Sequence, residues 1–306
     1  MPPLRRILVL VNPAAGRRGR LSQFLPSILS LIEKQAIQVE CVAPDNLDEL
    51  ARTARARGSS QDAILVVGGD GTFQQVVRAT LGSSLPLGIV PLGGGNDVAA
   101  ALGIPRDPVA AAAAFLAAAP RPVDVLRARF SDGRHAVYVG GGGIGLDAAA
   151  ARLASGHFSH LPGALRYFAS ALWALKGFVA PLARVELDGK PVLPAYQPVL
   201  LAVVTNTPVY GAGLRIAPAA AMDDGLLDAT LVGPLSWLRV LEAFPILLCS
   251  GDLRWPEVTR LRGRKVILHT RHRTPFHGDG EILGETPVEI EVLPGAIRVM
   301  APGRAK

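Results

Sequence analysis

Gly68, Gly69, Asp70 and Gly71 follow directly on the apolar run Ala63–Val67 and open onto Thr72, Phe73, Gln74 and Gln75. Glycines without a Cβ let backbone N–H groups close on a phosphate, and a helix beginning there turns its positive end towards the same anion. A carboxylate inside such a turn repels phosphate unless a divalent cation lies between them, so Asp70 predicts Mg2+. A strand-to-helix turn that merely needs glycine, with Asp70 and Thr72 as caps, would explain the same residues without a ligand.

Two further glycine turns shift that balance. Asn12, Pro13, Ala14, Ala15 and Gly16 follow the run Ile7–Val11, with Arg17 and Arg18 next in the chain. Gly93, Gly94 and Gly95 follow Leu87–Val90 and lead into Asn96 and Asp97 at a helix start. In an open parallel sheet, ligands bind at the carboxyl ends of the strands, where all three loops gather. Three such turns favour the polyphosphate of a nucleotide.

The elements that must position these loops are legible as an alternation. Strands Ile7–Val11, Gln38–Val42, Ala63–Val67 and Leu87–Val90 are interleaved with helices Leu21–Lys34, Leu47–Arg57, Thr72–Leu81 and one from Asp97. That order predicts parallel strands with helical crossovers, a three-layer α/β domain over residues 1–121. The alanine-rich helix Pro108–Ala119 ends at Pro120 and Pro122, which sets the boundary. Beyond it, short β-branched runs at Val123–Phe130, His135–Val139, Ala183–Leu187, Val199–Thr205, Leu227–Val232, Lys265–His269, Val288–Val292 and Ile297–Met300 predict a mainly antiparallel sandwich over residues 122–295.

Composition narrows the function. Of 306 residues, 49% are hydrophobic and 19% charged, which suits buried cores rather than disorder. Cys41 and Cys249 are too far apart for a zinc or redox motif and are read as reduced and structural. None of the six histidines has zinc-enzyme spacing. The run Ile7–Val11 is too short for a signal peptide core, and the apolar stretches Ala164–Ala180 and Leu238–Cys249 fall short of a clean span of ~20 residues. A net charge of +7 favours anionic partners, while only 5% aromatic residues argues against base stacking and hence nucleic acid. The late basic stretch Arg254, Arg260, Arg262, Arg264, Lys265, Arg271 and Arg273 would suit transient contact with an anionic membrane, although such runs usually serve as solvated faces.

In order along the chain stand NPAAG (Asn12–Gly16), GGDGT (Gly68–Thr72), PLGGGND (Pro91–Asp97), PVDV (Pro122–Val125), YGAGLRIAPAAAMDDGLLD (Tyr210–Asp228) and HGDGEIL (His277–Leu283). This series resembles the diacylglycerol kinase catalytic-domain family, which also includes sphingosine and ceramide kinases and bacterial lipid kinases. The resemblance implies an NAD kinase-like nucleotide domain followed by a β-sandwich, with the last strand, about 296–306, returning to the first domain. It implies an ATP- and Mg2+-dependent kinase phosphorylating a hydroxyl of diacylglycerol or a related lipid, in the cytoplasm or peripherally at the membrane, with a homodimer as a further partner. Asn12–Gly16 and Gly68–Gln75, with Gly93, Gly94 and Asn96, would line the ATP site. Asp224 would bind a metal with the carbonyls of Ala221 and Leu226, and Asp97 and Asp124 would join an interdomain acidic network.

Phosphoryl transfer needs positioning, charge neutralisation and a carboxylate base. By the resemblance the base is Asp279 or Glu281, which would share one face of an extended segment. A β-turn with exposed acids is the plain alternative for that segment, and a polar turn is the alternative for Asp223, Asp224 and Asp228. The chain departs from the family pattern at Gly94, where threonine is usual, and at Phe73, Gln74 and Gln75 in place of LNE. Two other functions stay open: an NAD kinase, which shares GGDGT, and a non-catalytic lipid- or nucleotide-binding protein.

Overall fold

A computed structural model describes residues 4–15, 20–158, 160–161, 163–211 and 213–303. The chain forms two compact units, Met1–Val123 with Gly295–Lys306, and Asp124–Pro294.

In the first unit, strands β1 (Arg6–Val11), β2 (Gln38–Val42), β3 (Ala63–Gly68) and β4 (Pro86–Pro91) alternate with helices α1 (Arg20–Glu33), α2 (Leu47–Gly58), α3 (Asp70–Thr80), α4 (Asp97–Ala101) and α5 (Pro108–Ala117). The strands lie in the order β2–β1–β3–β4 and are parallel. Ile7–Val11 and Ala63–Val67 are buried without interruption, the pattern of strands covered on both faces. Side chains mark the helix starts: Asn46 caps α2 and Asp107 caps α5, whose first residue is Pro108. Val11 pairs with Val67, and Gly68 with Pro91, so the three glycine turns leave the sheet at one edge.

The second unit holds β5 (Pro120–Phe130), β6 (His135–Tyr138), β7 (Gly141–Gly145), α6 (Leu146–Ser155), α7 (Gly163–Leu175), β8 (Leu182–Leu187), β9 (Lys190–Pro198), β10 (Leu201–Thr205), β11 (Leu227–Val232), α8 (Trp237–Cys249), β12 (Val258–Gly263), β13 (Lys265–Thr270), β14 (Pro275–Gly278), β15 (Glu281–Glu285) and β16 (Val288–Met300), with β5 and β16 crossing the boundary in sequence. One antiparallel sheet contains β16–β13–β8–β9 with β5 and β6, and the other runs β12–β11–β10–β7–β14–β15. Val266 and Ile290 from the first sheet and Val204, Ala229 and Phe276 from the second belong to one buried cluster, which makes the unit a sandwich. Phe276 meets both Phe130 and Tyr138 edge to face.

The runs Val288–Val292 and Ile297–Met300, separate in sequence, form the single strand β16. Its beginning pairs antiparallel with β13, and Arg298 and Val299 pair parallel with β4. Cys41 and Cys249 are free and exposed, so the structural role expected of them is corrected: neither packs a core.

Candidate active site

In the first unit the glycine turns are tied to one another. Asn12 follows β1, donates from Nδ2 to Thr72 Oγ1 at 2.8 Å, and accepts the Ala14 N–H at its own Oδ1. Gly69 and Gly93 touch backbone to backbone: a Cβ on Gly93 would lie 2.7 Å from the Gly69 Cα. Only glycine allows that approach. Asn96 adopts a left-handed backbone, φ 60°, and its amide closes on Gly93, accepting the N–H at 2.9 Å and donating to the carbonyl at 2.8 Å.

Because Asn96 is thus engaged, α4 takes its cap from another element. Asp70 accepts the Asp97 N–H at 2.9 Å through Oδ2 and the Val98 N–H at 3.2 Å through Oδ1. Asp70 therefore joins the α3 turn to the start of α4, a contact that sequence spacing did not reveal. At α3 itself, the N–H groups of Asp70, Gly71 and Thr72 lie in the first turn, where a helix offers no intrahelical acceptor. A Cβ on Gly71 would meet nothing within 4 Å, so the space beside this turn is open. The first turn of a helix beside close-packed glycines fits a phosphate tail. Pro13, Ala14 and Gly94 are exposed, Ala15 and Gln75 half-buried, and Gly68 and Phe73 buried beneath the turn. Gln74 is buried, and neither atom of its amide has a hydrogen-bond partner. Gly16, Arg17 and Arg18 lie outside the described residues.

In the second unit the DGE segment is a hairpin turn rather than extended chain. Asp279 and Gly280 have φ of 48° and 87° and form the two-residue loop between β14 and β15, with Gly278 paired to Glu281. Two positive φ values in a two-residue loop match the twist of a hairpin, the common use of Asp-Gly. The expectation that Asp279 and Glu281 share one strand face is therefore corrected. The Asp279 carboxylate instead accepts N–H bonds from Val139 at 2.7 Å, Gly140 at 2.9 Å and Gly141 at 3.1 Å. It anchors the hairpin to the start of β7, while half-buried Glu281 opens β15.

β7 consists of Gly141, Gly142, Gly143, Ile144 and Gly145 because its neighbours crowd it. A Cβ on Gly142 would lie 2.4 Å from the His277 carbonyl oxygen. His277 is itself buried, with its Nε2 3.0 Å from the Tyr210 hydroxyl. These two residues stand 67 positions apart, and no motif spacing joined them.

Asp124, buried, holds the turn Ala221–Leu226: its Oδ2 accepts the Gly225 N–H at 2.7 Å, its N–H donates to the Met222 carbonyl, and its carbonyl accepts from Asn206. Asp224 accepts the Leu226 N–H at 3.0 Å and pairs through Oδ2 with Arg262 at 2.5 Å. Arg262 also lies 3.5 Å from Asp228, whose carboxyl is pushed up to about 6, first by burial, with Asp224 adding to the rise and Arg262 opposing it. The Asp224 carboxylate, the one side-chain ligand of the expected metal, is thus engaged by a guanidinium. Among the described residues, no group of three or more His, Cys, Asp or Glu side chains could hold a metal ion. Within the basic stretch, Arg260 donates to the carbonyls of Ile216, Leu253 and Gly251, Lys265 pairs with Glu289, and Arg273 with Glu285, while Arg254, Arg264, Arg271 and Arg273 are exposed.

A parallel α/β unit carrying glycine turns at its strand ends, joined to an antiparallel sandwich, is the NAD kinase-like fold of diacylglycerol kinases. A solved diacylglycerol kinase structure from Bacillus anthracis shares this fold with a TM-score of 0.77 at 21% identity, covering 98% of this chain and 97% of that one. The diacylglycerol kinase catalytic domain family matches residues 6–128, and the YegS C-terminal NAD kinase beta sandwich-like domain matches residues 140–301. The chain belongs to this family of lipid kinases. Among its relatives, a protein of Mycobacterium tuberculosis named diacylglycerol kinase is 29% identical over 97% of this chain and 95% of its own length. A Stenotrophomonas maltophilia protein named "Probable lipid kinase YegS-like" is 30% identical over 88% of each chain. No helix among the described residues is long and apolar enough to cross a membrane.

Proposed function

We propose that this protein transfers the γ-phosphate of Mg·ATP to a hydroxyl of diacylglycerol or a related lipid. The observation that carries the reading is the linked set of glycine turns at the ends of β1, β3 and β4. There Gly69 packs on Gly93, Asp70 caps α4, and the first-turn donors of α3 border open space. Those donors, with Asn12–Gly16 and Gly93–Asn96, hold the polyphosphate. Asp70 and Asp97 are the acids at this turn that would hold the Mg2+ of the nucleotide, which would supply neutralisation of the phosphate charge. At Asp224 a second cation would have to share its carboxylate with Arg262, so no step is assigned to a metal there.

Glu281 takes the proton from the lipid hydroxyl. Asp279 accepts three backbone N–H bonds and serves as the anchor of the hairpin, which leaves Glu281 as the base of the pair. Transient contact with an anionic bilayer is supported by exposed Trp173 and Trp237 on the two helices and by the exposed arginines Arg254, Arg264, Arg271 and Arg273.

The test is incubation of the purified chain with γ-labelled ATP and Mg2+ against diacylglycerol, sphingosine, ceramide and NAD. Label in a lipid phosphate supports the reading. Label in NADP would transfer the chain to the NAD kinase reading, and Mg-nucleotide binding without any acceptor would favour a non-catalytic role.

A further inference from the structure

β11 and β12 pair antiparallel with Asp228 opposite Arg262 and Thr230 opposite Arg260. Ala229 and Leu261, the pair between them, pack into the sandwich core, so the four polar side chains share the outer face of the sheet. The segment from Ile216 to Asp224 is tied to that face at several points. Thr230 Oγ1 donates to the Ile216 carbonyl at 3.1 Å, and Arg260 Nε donates to the same oxygen at 3.3 Å. Arg262 Nη2 donates to the Ala219 carbonyl at 3.0 Å and to Asp224 Oδ2 at 2.5 Å, and its Nε lies 3.5 Å from Asp228 Oδ2.

One carbonyl and two carboxylate oxygens therefore converge on a single group, which is the ligand chemistry of a hard divalent cation. The guanidinium stands where they meet. Strand register sets its place, because Arg262 is the cross-strand partner of Asp228. Arginine stays charged at any physiological pH, and its planar fork of donors meets several oxygens at once, whereas Mg2+ gives up its water reluctantly. A divalent cation at Asp224 would share a carboxylate with this positive charge, and like charges at such range repel. The other Asp224 oxygen accepts the Leu226 N–H at 3.0 Å.

We propose that Arg262 is the resident cation of this turn: it stands where a divalent metal would otherwise cross-link the Ala219 carbonyl, Asp224 and Asp228, and the second unit keeps its structure without a metal. On the kinase reading, the divalent requirement of turnover is then that of the nucleotide alone. The occupancy of the turn is tested without nucleotide and without turnover.

Mn2+ binding to the whole chain is read from the loss of the free-ion electron paramagnetic resonance signal, and thermal midpoints are measured in EDTA and in excess Mg2+. Wild type and Asp224→Asn are expected to bind Mn2+ alike, with the wild-type midpoint shifting by less than ~1 °C between the two buffers. Arg262→Met is expected to melt roughly 2–6 °C below wild type in EDTA and to recover most of that loss in Mg2+. It should also gain an Mn2+ site that the double variant with Asp224→Asn lacks. A wild-type Mn2+ site that disappears in Asp224→Asn overturns the proposal. So does an Arg262→Met protein that melts with wild type in EDTA, or one that loses stability and regains none with divalent cation. Should Arg262→Met fail to fold in either buffer, the comparison of wild type with Asp224→Asn decides alone. Absence of phosphoryl transfer would refute the kinase reading and leave each of these results unchanged.

Discussion

Replacing Asp279 by asparagine separates the anchor from the base. Asparagine tolerates the left-handed backbone that Asp279 adopts, φ 48°, so the substitution changes charge and one hydrogen bond rather than turn geometry. Oδ1 accepts from Gly140 and Gly141, and Oδ2 from Val139. An amide in the wild-type orientation keeps its carbonyl on the glycines but sets an NH2 against the Val139 N–H. The charge-assisted bond to Val139 is lost, worth roughly 1.5–3 kcal/mol, and the other two weaken to neutral strength. Water reaches the half-buried side chain and offsets part of this, so the expected loss is about 2–3 kcal/mol. For a unit the size of Asp124–Pro294, each kcal/mol moves the midpoint by roughly 2–4 °C, giving a fall of about 5–10 °C. Calorimetry on Asp279→Asn and Glu281→Gln side by side is the assay, with Glu281→Gln expected within ~1 kcal/mol of wild type. An Asp279→Asn protein that melts with wild type, or a Glu281→Gln protein that loses as much, would refute the division of roles.

Gly93→Ala and Gly71→Ala differ in what a Cβ meets, 2.7 Å from the Gly69 Cα in one case and nothing within 4 Å in the other. Calorimetric titration with Mg·ATP is expected to show weaker nucleotide binding in both, with thermal stability falling by ~1–3 kcal/mol only in Gly93→Ala. Gln74→Met removes a buried amide without partners and should raise stability by about 1 kcal/mol in denaturant melts; no gain would mean that the amide is satisfied in solution. The Asp228 carboxyl, raised from 3.8 to about 6 in the folded protein, binds protons more readily than in the unfolded chain. Stability from this group therefore falls as pH rises between those values. Asp228→Asn, melted in EDTA, should gain on wild type by about 2–3 kcal/mol from pH 4 to pH 7, and a pH-independent difference would show that the group titrates normally.

The first unit was legible because its strands are continuous apolar runs ended by glycine, and such runs can pack only between two layers. The sandwich was less so. β7 is four-fifths glycine, chosen for close approach to His277 and Tyr210 rather than for strand propensity, and β9 carries Pro191, Pro194 and Pro198. The short strands β12, β14 and β15 were likewise unforeseen. Within the site, the residue types at the glycine turns were readable from the chain, but their joints were not. Asp70 capping α4 across 27 positions, and Tyr210 meeting His277, are products of topology. The same holds for the contacts of Arg260 and Arg262, whose donors go to carbonyls and to Asp224, within a basic stretch whose other arginines are exposed.

The central claim is tested most directly by single-turnover transfer from γ-labelled Mg·ATP to diacylglycerol, comparing wild type with Glu281→Gln at matched nucleotide occupancy. The account predicts labelled phosphatidate from wild type and a rate lower by roughly 10²–10⁴ in Glu281→Gln with nucleotide affinity unchanged. Equal rates in the two proteins, or no labelled lipid from wild type beside an active control kinase, would contradict it.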